Sequence, residues 1–180
     1  MKCFGLVFLL IASAVSAEAV PRFANIFADH AVLQREKPIL IFGSGAEPGS
    51  KIEVQFGGEI YSATIFEYGK WRTSVPALAA SDEGRRLELR ENGVVTQTIA
   101  DVVVGDVWLA AGQSNMQFRV SGMLKGLPET KSWIDQADRK QIRFRRVDDP
   151  VLGDRKSEAA DLAAQEKWAV MTPQTVLNFS

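Results

Sequence analysis

Chemistry in this sequence is concentrated in one short stretch, Gly105-Asp106-Val107-Trp108-Leu109-Ala110-Ala111-Gly112-Gln113-Ser114-Asn115-Met116. A serine that follows an apolar run, behind a glycine, is predicted to lie at the carboxyl end of a buried strand. Open α/β sheets place their ligand crevice there. Gly112 permits a tight backbone approach, and the amides that follow it are expected to point toward the crevice. A serine so placed suits nucleophilic acyl transfer, provided that a base activates it. From the residues alone, a plain polar strand-to-helix turn remains the other reading. The spacing is not the G-x-S-x-G elbow of α/β-hydrolases, because Met116 stands where the second glycine would be.

Other chemistries are narrowed by counting. The chain has one His and one Cys, so neither a His-rich metal site nor a Cys/His zinc site can be assembled from it. His30 lies far upstream of Ser114 and is expected to play a structural or surface role beside Asp29. Asp106 is expected to be structural. Gln113 and Asn115 could line a pocket or brace the turn. Arg143, Arg145 and Arg146 read as a solvated strand face, with carboxylate attraction as the alternative. Trp71, Trp108, Trp133 and Trp168 are expected in the core, with sugar platforms as the alternative. Lys plus Arg number 21 against 22 Asp plus Glu, a balance that creates no whole-chain basic field for nucleic acid. With 46% hydrophobic and 24% charged residues, the composition excludes a disordered tail, a collagenous repeat and a polytopic membrane protein.

The elements that must position the serine fall into two textures. Over residues 20–100 the apolar positions alternate. Ile52, Val54 and Phe56 are followed by Gly57-Gly58, Trp71, Thr73 and Val75 by a later pair Leu87 and Leu89, and Asn92-Gly93 precedes Val95, Gln97 and Ile99. Tyr61, Ala63 and Ile65 read as one strand between two turns. Period two with glycine-bearing turns predicts an antiparallel β-sandwich. From Asp101 the runs Val102-Val103-Val104 and Val107 to Ala111 are continuously apolar, as in strands buried on both faces of a parallel sheet. A helix is predicted over 129–140, with Trp133, Ile134 and Ala137 on one side, and a strand through Ile142, Phe144 and Val147. The expectation is therefore an α+β two-part chain: a sandwich, then the opening of an α/β domain over 101–180.

Residues 1–17 have the pattern of a secretory signal peptide. Lys2 is followed by the apolar run Phe4 to Ala14 and the small residues Val15-Ser16-Ala17. The run is too short to span a bilayer comfortably. Cys3 lies in this leader ahead of the apolar run, badly placed for lipidation. The expected mature chain is secreted, periplasmic or lysosomal, free of cysteine and of any membrane segment, and stabilised by an apolar core.

Gly112-Gln113-Ser114-Asn115-Met116, preceded by Val103-Val104-Gly105-Asp106-Val107-Trp108, resembles the serine block of the sialate O-acetylesterases of the SGNH/GDSL hydrolase superfamily. The segment Phe27-Ala28-Asp29-His30-Ala31-Val32-Leu33-Gln34-Arg35 is similar to the family's early D-H-x-V-L-Q-R run. Lys37-Pro38, Phe42-Gly43, Pro48-Gly49, Gly69-Lys70-Trp71, Ile142-Arg143-Phe144, Trp168 and Phe179-Ser180 follow in the family's order. The resemblance implies an SGNH-type α/β domain, truncated here, after the sandwich. It also implies a serine esterase that removes O-acetyl groups from a sugar through an acetyl-enzyme on Ser114, with no metal or organic cofactor. The Ser114 N–H is a candidate oxyanion donor, and Gly112, Gln113 and Asn115 are candidates for oxyanion or substrate binding. The family's second glycine block, asparagine block and D-x-H segment lie beyond residue 180, so the chain reads as an N-terminal piece that is inactive alone. The competing expectation is a non-catalytic carbohydrate-binding or interaction module.

Overall fold

The computed structural model describes residues 20–124, 126–147 and 167–179. The expected leader lies outside them. Strands far outnumber helices among the described residues. Strands β1 (Arg22–Phe23), β3 (Ile39–Ser44), β7 (Trp71–Val75) and β6 (Thr64–Ile65) form one sheet in the order β1-β3-β7-β6. Strands β2 (Val32–Gln34), β9 (Val94–Gly105), β8 (Ser81–Glu91), β4 (Ile52–Phe56) and β5 (Glu59–Ser62) form a second, in the order β2-β9-β8-β4-β5. A short antiparallel pair, β10 (Arg139–Arg145) and β11 (Trp168–Met171), follows the helices α1 (Ser114–Gln117), α2 (Val120–Met123) and α3 (Thr130–Asp135).

Alternation explains the strands. Ile52, Val54 and Phe56 are buried on β4, and Trp71, Thr73 and Val75 on β7, while the residues between them face outward or are half-buried. The apolar ones among these, Ile52, Val54, Phe56, Trp71 and Val75, together with Ile41, Leu87 and Leu89, join one apolar cluster drawn from both large sheets. Each fully buried Val, Leu, Ile or Phe contributes about 1.5–3 kcal/mol relative to exposure. Asn92 and Gly93 both take positive φ, 51° and 84°. That is the requirement of a two-residue type I′ turn, and it joins β8 to β9. Phe23 meets the Trp71 ring edge-on at 5.6 Å, and Trp71 Nε1 donates to the Ser44 carbonyl at 3.3 Å.

Five expectations are corrected. Tyr61, Ala63 and Ile65 do not form one strand. The chain changes sheet at Ala63, whose N–H donates to the Ile52 carbonyl at 2.8 Å. Val102-Val103-Val104 do not open a new sheet either. They are buried as the last part of β9, which pairs antiparallel with β8 and parallel with β2. A strand central in a mixed sheet and covered on both faces has the same continuous apolar texture as one in a parallel sheet. Val107 to Ala111 form no strand, and Trp108 and Leu109 are 89% and 94% exposed. The predicted 129–140 helix is shortened to α3. It buries Ile134 but leaves Trp133 61% exposed. Of the four tryptophans, only Trp71 is fully in the core, and Trp168 is half-buried against it.

Candidate active site

Residue by residue, segment 29–35 fastens the end of β9. Asp29 Oδ1 accepts from the Ala100 N–H at 2.7 Å, and the His30 N–H donates to the Ala100 carbonyl at 3.2 Å. The Val103 N–H donates to the Ala31 carbonyl at 3.0 Å. Val32, Leu33 and Gln34 then register against Val103, Val104 and Gly105. The Arg35 N–H donates to the Gly105 carbonyl at 2.9 Å, Arg35 Nε to Asp106 Oδ1 at 2.8 Å, and the Val107 N–H to Gln34 Oε1 at 3.0 Å. The expected structural role of Asp106 is thus an ion pair with Arg35. The hydrogen bond to Asp106 is the main reason that the Arg35 pKa is raised above its ordinary value.

From this fastening the chain runs to Gly112, Gln113 and Ser114, all exposed, with Ser114 the first residue of α1 and Asn115 the second. Gly112 has a packing reason. A Cβ there would stand 2.4 Å from Met116 Cγ, inside any real contact. Met116 therefore folds back onto Gly112, and its N–H donates to the Gln113 carbonyl at 2.9 Å. Gly112, Gln113 and Ser114 line a cleft of about 960 Å³. Its opposite wall includes Phe144, Arg145 and Arg146 from β10 and the residues after it, with Trp168, Met171 and Phe179. The Phe144 and Phe179 rings lie 4.4 Å apart.

The sequence reading expected Arg143 on a solvated face, and the structure corrects this. Its side chain is 5% exposed, and its guanidinium donates to both the Asp101 carbonyl and, at 3.0 Å, Asp101 Oδ1. Arg145 and Arg146 are half-buried in the cleft wall. His30 is also redirected: its Nδ1 lies 2.6 Å from Asp101 Oδ2, while Asp29 is engaged with Ala100. Burial pushes the Asp101 carboxyl up. The hydrogen bonds from His30 and Arg143, with the Arg143 charge, outweigh it, so the net shift is below the usual value. Gly84 makes room for this carboxylate, since a Cβ at Gly84 would lie 2.0 Å from Asp101 Oδ1.

Sequence reasoning noticed segment 29–35 without assigning it a task. The signal was present in the polar residues Asp29, Gln34 and Arg35, which flank a strand too short to stand alone. Asp101 had no such signal beyond the tolerance of aspartate for the left-handed region.

No family model matches the chain. It is 27% identical over 150 residues to a sialate O-acetylesterase of Mus musculus, covering 78% of this chain and 27% of the relative. It is 30% identical over 168 residues to a sialate O-acetylesterase of Rattus norvegicus, covering 88% of this chain and 30% of the relative. A solved carbohydrate acetylesterase from Xanthomonas citri superposes with a TM-score of 0.72 at 28% identity, over 89% of this chain and 34% of that one. The chain thus spans about 30% of the length of the curated relatives it matches. Over the residues they share, the chain is sialate O-acetylesterase-like in sequence and carbohydrate-acetylesterase-like in fold.

Proposed function

We propose that this chain carries the nucleophile of a serine esterase that removes O-acetyl groups from sialic acid or a related acetylated sugar. The observation that carries the reading is Ser114 itself. It is exposed at the start of α1, behind a glycine packed on Met116, in a cleft roomy enough for a sugar ester. Similarity to acetylesterases supports the choice of ester.

In this reading Ser114 Oγ bonds to the acetyl carbonyl carbon and gives up its proton to a base. The sugar oxygen then leaves, taking a proton, and an acetyl-serine remains. Water attacks the acetyl-serine, acetate departs and the serine hydroxyl is restored. The tetrahedral oxyanion formed in each half needs preorganised donors. The Ser114 N–H is one of them, and Gly112, Gln113 and Asn115 bound the oxyanion or the substrate.

The base comes from outside these residues. The chain has one histidine, His30, and it is not among the residues that line the cleft around Ser114. The 180 residues therefore do not turn over alone. Residues 20–100 constitute a β-sandwich, a reading supported by the core that its two sheets share. Strand β9 carries that sandwich on to Gly105, residues 106–180 constitute the front of an SGNH-type domain, and residues 1–17 direct export.

The test is Ser114→Ala in a protein that contains the base as well as this chain. Acetyl release from an aryl acetate should fall by on the order of 10⁴-fold, as when one member of an acyl-transfer constellation is lost. A loss of only a few-fold means that another residue attacks.

A further inference from the structure

We infer that Gln34 is a positioning residue for the nucleophile: its side-chain amide holds the exit of β9, so that the stretch from Val107 to Ser114 presents the serine hydroxyl in one place. The inference rests on the reading of Ser114 as nucleophile.

Both ends of the Gln34 amide are used. Oε1 accepts from the Val107 N–H at 3.0 Å, and Nε2 donates to the Arg35 carbonyl at 3.2 Å. Arg35 in turn holds Gly105 through its N–H and Asp106 through Nε. Three consecutive residues, Gly105, Asp106 and Val107, are therefore gripped by two. Among the described residues, these are the last hydrogen bonds that another segment makes to the chain before Ser114. Residues 108–112 are exposed, and the next bond, Met116 N–H to the Gln113 carbonyl, is local.

The opposite wall of the cleft is held separately. Arg143 on β10 is tied to Asp101, and Trp168 Nε1 donates to the Ile26 carbonyl at 2.8 Å. Releasing Val107 should thus let the serine segment swing while that wall stays in place. Attack geometry is sensitive to displacements of about 1 Å. The loss should appear in kcat and leave KM nearly unchanged.

Two readouts test this. Amide hydrogen exchange over residues 106–117 of this chain reports the positioning without catalysis. Aryl acetate hydrolysis by the complete enzyme reports its consequence. Gln34→Leu removes both hydrogen bonds, whereas Gln34→Glu keeps an acceptor for the Val107 N–H. With Gln34→Leu, exchange at the two hydrogen-bonded amides of this stretch, Val107 and Met116, should rise about tenfold or more while β4 and β8 are unchanged. Its kcat should fall by tens-fold, roughly, with KM within about twofold. Gln34→Glu should return both readouts to within about threefold of the parent.

The inference is overturned by unchanged exchange at Val107 and Met116 in Gln34→Leu, by Gln34→Glu being as defective as Gln34→Leu, or by exchange rising equally across β4 and β8. A Ser114→Ala enzyme of full activity would remove the nucleophile reading instead. The exchange result would still decide what Gln34 holds.

Discussion

Asp101 and His30 face each other from the left-handed region of the backbone map, at φ values of 55° and 68°, with His30 Nδ1 2.6 Å from Asp101 Oδ2. An ionised carboxylate only accepts, so Nδ1 carries the shared proton. Arg143 completes the arrangement from β10. Asp101 thereby joins the 29–30 loop, the bend of β9 and the cleft wall.

The pH dependence of this junction has a definite sign. The folded Asp101 carboxyl is held below its ordinary value, while an unfolded aspartate titrates near about 3.9. Between the two, the unfolded chain binds more protons, so stability rises with pH. The contribution is present above about pH 3.9 and is lost as pH falls through the lower folded value. Asp101→Asn keeps the left-handed backbone accessible and removes the charge. Asp101 is partly exposed, so the variant should lose on the order of 1 kcal/mol at pH 6 after solvent screening. Denaturant unfolding at stepped pH should show that deficit shrinking below pH 4, roughly. A deficit that stays constant to the most acid point contradicts the assignment.

Leu89 is fully buried in the shared core, whereas Trp108 is 89% exposed. Leu89→Ala should cost about 2–5 kcal/mol. Trp108→Ala should change stability by no more than about 0.5 kcal/mol. Denaturant titration of both variants checks the pair, and comparable losses would contradict the burial described for them.

Gly112→Ala puts a methyl against Met116 at the root of α1. Acetyl release by the complete enzyme should fall by about tens-fold as the serine is displaced. Adding Met116→Ala should recover part of the rate. If Gly112→Ala alone has no effect, the contact does not set the orientation of Ser114.

The 180-residue chain by itself should show aryl acetate turnover no faster than buffer, before and after His30→Ala. Sustained turnover that disappears in His30→Ala would make His30 the base and overturn its structural role.

N-terminal sequencing of exported material should begin at Glu18 or Val20. Recovery of a mature protein beginning at Met1 would rule out the leader.

Some of this architecture is written in local order. Alternating burial on β4 and β7 follows from a side-chain period of two, and the Asn92-Gly93 turn from residues that accept positive φ. Both depend on neighbours in the chain, so the sequence by itself determined them. It also singled out Ser114 behind Gly112. It did not contain the reason for the glycine, because the clash with Met116 exists only once α1 turns back.

The tertiary structure decided the pairings made over long separations. Val102 to Val104 are apolar in any sheet that covers both faces, and only the partners β2 and β8 show which sheet it is. Arg143 looks like any surface arginine until Asp101, 42 residues away, takes its guanidinium. His30 and Asp101 are 71 residues apart, and Gln34 and Val107 are 73. Periodicity says which face a residue occupies. It does not say what stands opposite, and a buried charge or a held strand exit is defined by what stands opposite.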